Sequence, residues 1–431
     1  MHKLIIHKLG PIRHCELTCS QFMTFTGFQA SGKSTIAKAV YYFRTIKNDI
    51  YSTLEDIALS LYSDSDQNQN ISKNKYLTDF LREKFLRVFG SSWGMDNDMS
   101  MEYYFSEDCF VKVYLKEENY YSTPNYVWIE LCPAITSFLR DNSLRVDALG
   151  VPASERKRIQ ERLVQLFNDN YETVYIPAGR SMITLLSQQM SYIYTTMKDA
   201  QKRAIDYCTQ DYIERILSLK SEFSDGLNGL AAYEGPKNNI PRSVTSLAMD
   251  LVQKVLRGSY RFADNEERIV LDNNKYVKIN FASSGQQESV WILNLLFYYL
   301  VHGTPVNFII EEPESHLFPE SQKYITELIT LIFNLGHSVL VTTHSPYVLG
   351  TLNNLLYADN IPKKLKDTAS SIISSEFWIN GNQFSAWFVK NGSIEDCIDQ
   401  EIHLIQNEKL DQISKVINRD FDKLFDLEMD E

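Results

Sequence analysis

Short apolar runs open the chain. Residues 3–7, 15–18 and 22–26 are β-branched or aliphatic stretches broken by Gly10-Pro11 and by polar residues, and they predict three strands. A helix is predicted from about Lys33 to Ile46. Residues 100–131 alternate, with Tyr103, Phe105, Val111, Val113 and Trp128 between polar neighbours, which predicts a β-meander. From about 133 to 225 the period changes. Ile159, Leu163 and Phe167 recur every four residues, and Ile205, Cys208, Tyr212, Ile216, Leu219 and Phe223 follow at helical spacing. Neither stripe persists over the many heptads of a long coiled coil. The polar stretch 63–74 and the Gly-, Pro- and Asn-containing stretch 234–243 read as loops. No internal repeat stands out.

Beyond residue 283 the pattern becomes dense. A nearly all-apolar helix over 289–301 precedes a strand over 306–310. A helix over 319–335 then starts with Pro319 and stops before Gly336, and a strand follows over 338–342. This is a βαβ unit. Parallel strands joined in this way bring their C-terminal ends to one edge of the sheet, where ligands bind.

Four segments carry candidate chemistry. Gly27-Phe28-Gln29-Ala30-Ser31-Gly32-Lys33-Ser34, followed by Thr35, fits the phosphate-loop pattern G-x-x-x-x-G-K-[ST]. Its glycines let backbone N–H groups wrap a phosphate at a helix start. Lys33 is placed for the β- and γ-phosphates of ATP, and the Ser34 hydroxyl for Mg²⁺. The strand over 306–310 delivers Glu311 and Glu312 at its end, the layout of a Walker B motif. There the first acid holds the metal shell and the second polarises an attacking water. Ser283-Ser284-Gly285-Gln286-Gln287-Glu288 opens the apolar helix, and Ser284 with Gln287 reads as a capping box. An exposed helix start of this kind is also an anion site. His344, in Thr343-His344-Ser345-Pro346, falls just past the strand over 338–342, on the same edge as Glu312, and reads as a sensor of phosphate.

Composition narrows the setting. Apolar residues make up 44% and charged residues 23%, a globular balance that excludes a disordered chain. The six cysteines (15, 19, 109, 132, 208 and 397) contain no Cys-x-x-Cys pair and predict reduced thiols in a cytoplasmic protein. No secretory h-region follows the first residue. The most apolar stretch, Trp291–Val301, has 11 residues, against the ~20 that span a bilayer, so no membrane association is expected. The 43 Lys+Arg against 55 Asp+Glu give a net charge of −12, which weighs against a non-specific nucleic-acid binder. Residues 395–431 hold twelve acids and four bases, so most of that charge lies in the tail. Residues 151–225 hold ten of each sign and offer no basic groove, although Arg156-Lys157-Arg158 forms a small patch.

Taken in order, the four segments resemble the ATP-binding-cassette type of ATPase head found in SMC, RecF and OLD proteins. Glu311-Glu312-Pro313-Glu314-Ser315-His316-Leu317-Phe318-Pro319 is similar to the EEPExHLxP form of OLD-like ATPases. The resemblance implies an α/β P-loop NTPase fold with a mainly helical insertion, Mg²⁺ and ATP as ligands, Glu311 on the metal side and Glu312 as catalytic base. It implies His344 as the switch histidine. Ser284 and Gly285, with Gln286 where many members have a second glycine, would form the signature that clamps ATP bound to a second copy. No Q-loop glutamine is evident. Tyr175-Ile176-Pro177-Ala178-Gly179-Arg180 is similar to a Pro-Ala-x-Arg segment of OLD-like ATPases, with Arg180 either a helix-start salt bridge or a contact to nucleotide or partner.

The expected organisation is an ATPase head from 1–132 and 244–394, a helical insertion over 133–243 and an acidic helical tail over 395–431. Only 87 residues follow His344, too few for the TOPRIM nuclease of OLD proteins, and Asp420-Phe421-Asp422 reads as solvated helix acids. Stand-alone heads of this kind resemble the ATPase partners of the two-component anti-phage systems Septu and PARIS. That resemblance implies a homo-oligomeric ATPase switch controlling a separate effector, a nuclease by analogy. A RecF-like DNA-repair ATPase and an ATP-binding scaffold with little turnover are the alternatives.

Overall fold

A computed structural model of the chain describes residues 2–63, 72–118, 123–185, 196–197, 205–271, 275–399, 401–406, 419 and 422. The N-terminal strands β1 (Lys3–Leu9), β2 (Ile12–Thr18) and β3 (Phe22–Gly27) follow the predicted runs. The meander is β4 (Ser100–Tyr104), β5 (Phe110–Glu118) and β6 (Thr123–Leu131). It joins the first hairpin in an antiparallel sheet of order β2-β1-β4-β5-β6. Between them run the helices Lys33–Arg44, Ile46–Ser63 and Lys73–Phe89. Most of the stretch expected as a loop over 63–74 lies outside the described residues.

The segment expected to be helical from 133 contains the helices Pro133–Asp141, Ala153–Phe167 and Tyr207–Leu219, but also β7 (Glu172–Ile176). The strand was hidden because its five residues lie between strong helical stripes and carry no alternation. The helices Gly226–Lys237 and Arg242–Leu256 come next, ahead of a small antiparallel sheet of β8 (Ser259–Ala263), β9 (Glu266–Val270) and β10 (Tyr276–Lys278).

The remaining strands are β11 (Val306–Glu311), β12 (Ser338–Thr342), β13 (Phe384–Lys390) and β14 (Ser393–Asp396). They form the central sheet, of order β14-β13-β3-β12-β11-β7. All its neighbours are parallel except β13 and β14. A parallel sheet is covered on both faces, so its strands carry nearly continuous apolar runs. Alternate residues divide accordingly. Val174, Phe308, Ile310, Val339 and Val341 enter one core with the helices Ser284–His302, Pro319–Asn334 and Pro346–Asn360. Tyr175, Ile309, Leu340, Met23 and Phe25 enter the other, with the helix Lys33–Arg44 and the antiparallel sheet. Among the described residues no helix is long and apolar enough to cross a membrane. Most of the acidic tail lies outside the described residues.

Candidate functional site

The C-terminal ends of β3, β7, β11 and β12 converge on one edge of the central sheet, and the four predicted segments follow from three of those ends and from the helix packed behind them. Gly27 closes β3 with φ +136°, paired with Val389 of β13, and a Cβ there would lie 2.3 Å from the Val389 carbonyl oxygen. Only glycine fits that approach. Gln29 and Ala30 form the exposed turn of the loop, with Ala30 at φ +58° and Ser31 half-buried, and Phe28 projects into solvent, edge-on to Phe388. Gly32, left-handed, caps the helix Lys33–Arg44.

Lys33 is 5% exposed, and its ammonium donates to the carbonyls of Gly27 (3.1 Å) and Phe28 (2.8 Å). Burial pulls its pKa down to about 8, against the opposing pull of Glu312, Glu314 and Glu311. Ser34 is exposed at the helix start. Thr35 and Ser34 line a cavity of about 410 Å³ with Lys8, Gly10, Lys38 and Asp96.

Glu311 ends β11, 5% exposed. One carboxylate oxygen accepts the Ala178 N–H (3.3 Å), and the polar neighbour of the carboxylate is the buried Tyr175 hydroxyl, whose pKa burial and Glu311 together push up. A buried carboxylate at the end of β11, on the same sheet edge as the P-loop serine, fits a divalent cation. Glu312 follows with φ +43°, a strained conformation for a residue with a Cβ. Its Oε1 lies 3.5 Å from Nε2 of His344, and Oε2 accepts from the Ser315 hydroxyl (3.2 Å). The bond to His344 leads the causes that hold Glu312 below the usual carboxylate range. The expected pairing of acid and histidine on one edge is therefore present.

Glu314, to which the sequence assigned no role, holds the histidine loop. Its Oε1 accepts from the Thr343 hydroxyl and from the His344 N–H, both at 2.7 Å. Burial pushes its pKa up, and its Oε2 is unpaired. The signal was its place in the acidic run, two residues past the presumed base.

The helix Ser284–His302 corrects one expectation. Its N-cap is Ser283, not Ser284, and the capping box pairs Ser283 with Gln286. Gln286 also donates to the Leu256 carbonyl (2.7 Å). Its side chain is thus spent inside the chain rather than offered to nucleotide. Ser284 and Gly285 remain at the helix start, and a Cβ on Gly285 would lie 2.8 Å from the His316 carbonyl oxygen. Arg180 also finds its place. It is fully buried against Glu288, also fully buried, with ion-pair atoms 3.4 Å apart, so the helix-start salt bridge is the correct reading of the two. The turn after β7 meets Glu311 through the Ala178 N–H and the Arg180 guanidinium. Among the described residues no cluster of three His, Cys, Asp or Glu side chains stands ready to hold a metal by itself.

A family model described as an AAA ATPase domain matches residues 1–349. No curated protein matches the chain in sequence. Among solved structures, the chain is similar to an Smc head domain with an extended coiled coil, bound to the C-terminal domain of ScpA, from Pyrococcus furiosus. That pair shares 12% identity, covers 92% of this chain and 96% of the other, and has a TM-score of 0.37. An SMC head domain from Thermotoga maritima shares 12% identity over 91% of this chain and 97% of the other, with a TM-score of 0.35.

Proposed function

The chain belongs to the AAA ATPase domain family, and from that membership we propose that it is an ATP-hydrolysing switch whose heads close on ATP and open after hydrolysis. The observation that carries this reading is the single edge on which Lys33, Glu311, Glu312 and His344 meet, with Glu312 and His344 3.5 Å apart.

The N–H groups from Gly27 to Thr35 wrap the phosphates of ATP, and Lys33 exchanges its two carbonyl bonds for phosphate oxygens. The nucleoside extends toward the cavity beside Thr35 and Lys38. Ser34 and Glu311 would hold Mg²⁺, which supplies charge neutralisation for the β- and γ-phosphates. Glu312, ionised and oriented by His344 and Ser315, accepts a hydrogen bond from the attacking water. His344, fixed through its N–H by Glu314, senses the γ-phosphate.

Ser284 and Gly285, at an exposed helix start, face a second copy. Phe281, three residues before Ser284, is exposed (80%), as are Phe318 (75%), Met182 (69%) and Tyr347 (54%), apolar side chains suited to self-association. The effector is a separate protein, as in the two-component defence systems that the motif set resembles, and the surface of the 133–243 segment is its docking region. The cytoplasm suits the six cysteines, all buried and none of them in a disulfide.

The variant Glu312→Gln tests the core of this reading. It binds ATP with wild-type affinity, loses at least a hundredfold in turnover and accumulates as a closed dimer in size-exclusion chromatography with light scattering. Wild-type turnover in that variant removes Glu312 from the reaction.

A further inference from the structure

The buried pair of Arg180 and Glu288 touches neither of the motif side chains that handle phosphate, yet it joins the segments that carry them. The Arg180 guanidinium donates to the carbonyls of Pro177 (2.7 Å), Glu311 (2.7 Å), Glu312 (2.9 Å) and Glu288 (3.0 Å). The Glu288 carboxylate in turn accepts the N–H groups of Arg180 (2.9 Å) and Ser181 (2.6 Å). One charge pair therefore ties the turn after β7, the end of β11 and the start of the helix Ser284–His302.

The carbonyls of Glu311 and Glu312 belong to the backbone that aims both acids, and Glu312 is already held at φ +43°. The same helix meets the turn after Glu312 a second time, where Gly285 packs against the His316 carbonyl. Removing two charges from water is costly, and well-packed apolar side chains would hold these segments together as firmly. A planar fork bonded to four carbonyls does something that apolar packing does not: it fixes their register. Lysine, a point charge with three donors, cannot span the same set.

We propose that Arg180 is a positioning residue that couples the nucleotide site to the helix start offered to a second copy. A shift of the Glu311-Glu312 backbone on ATP binding pulls on the guanidinium, and Glu288 carries that pull to Ser284 and Gly285. The proposal rests on the ATPase reading above.

Hydrogen exchange on the full chain, with and without Mg²⁺ and the non-hydrolysable analogue AMP-PNP, tests it together with steady-state kinetics. In the wild type the analogue slows exchange at residues 283–290 by fivefold or more. In R180K, which keeps the charge and loses the fork, the analogue binds within threefold of wild type but the response at 283–290 disappears. There kcat falls tenfold or more while KM moves less than threefold. E288Q shows the same split, and it serves if R180K does not fold. Either variant with wild-type kcat and an intact exchange response overturns the coupling. So does a wild type that binds the analogue with no change at 283–290, a measurement that decides even if neither variant folds. A wild type that fails to bind the analogue at all overturns the ATPase reading, and the coupling with it.

Discussion

Lys33 sits between two opposing demands. Burial lowers its pKa to about 8, while three glutamates favour the charged form. Phosphates arriving at the loop favour the charge further, so the nucleotide-bound pKa lies higher. Below pH 8 the ammonium is charged in both states. Above it, binding must take up a proton, and ATP affinity falls with rising pH by up to about tenfold per unit. The sign for folding is the reverse: between about 8 and the ordinary 10.5 the unfolded chain holds more protons, so stability gains as pH rises. Calorimetric titration in buffers of different ionisation enthalpy checks the uptake, and K33R, charged throughout, gives a weaker but pH-flat affinity. The meeting of Lys33, Glu311, Glu312 and His344 on one edge was legible because each stands in a contiguous motif at a strand end. Glu314 and the Arg180–Glu288 pair were not. Their meaning lies in contacts across 30 and 108 residues of chain, which no local pattern reveals.

At the scale of elements, the helix Ser284–His302 shows how a one-residue shift changes a reading. Both serines precede a Gln at the spacing of a capping box, and only the backbone decides: Ser283 is extended, with φ −65° and ψ 155°, as a cap must be. Ser283→Ala should therefore cost about 1 kcal/mol of stability, and Ser284→Ala less than about 0.5 kcal/mol, both read from urea midpoints. The reverse order would return the cap to Ser284. The strands over 306–311 and 338–342 were readable because strands buried on both faces are continuously apolar. Strand β7 satisfies the same rule in only four residues, Thr173 to Ile176, too few to stand out beside two helical stripes. Its position beside β11 is what delivers Ala178 and Arg180 to the site.

For the whole molecule, the exposed aromatics around the nucleotide edge are the feature that a monomer does not explain. Phe281 and Phe318 flank the helix start and the turn after Glu312, and their side chains are largely in water. The double variant Phe281→Ser, Phe318→Ser should abolish ATP-dependent dimerisation in light scattering and leave monomer stability within about 0.5 kcal/mol. Dimerisation at wild-type strength would move the interface elsewhere. Residues 395–431, with twelve acids and four bases, carry −8 of the net charge of −12, so the rest of the chain is close to neutral.

The sheet order carries a consequence for synthesis. Strand β3, which ends in the phosphate loop, is complete at residue 27, but its two neighbours are β12 and β13, and β13 ends at residue 390. At about 5–20 residues per second the ribosome needs roughly 20–70 s to supply them. For that interval the loop exists without the strand whose Val389 carbonyl shapes Gly27. A nascent chain therefore carries its phosphate loop early but gains the ability to use it only near the end of translation, so a truncated product is an inert one.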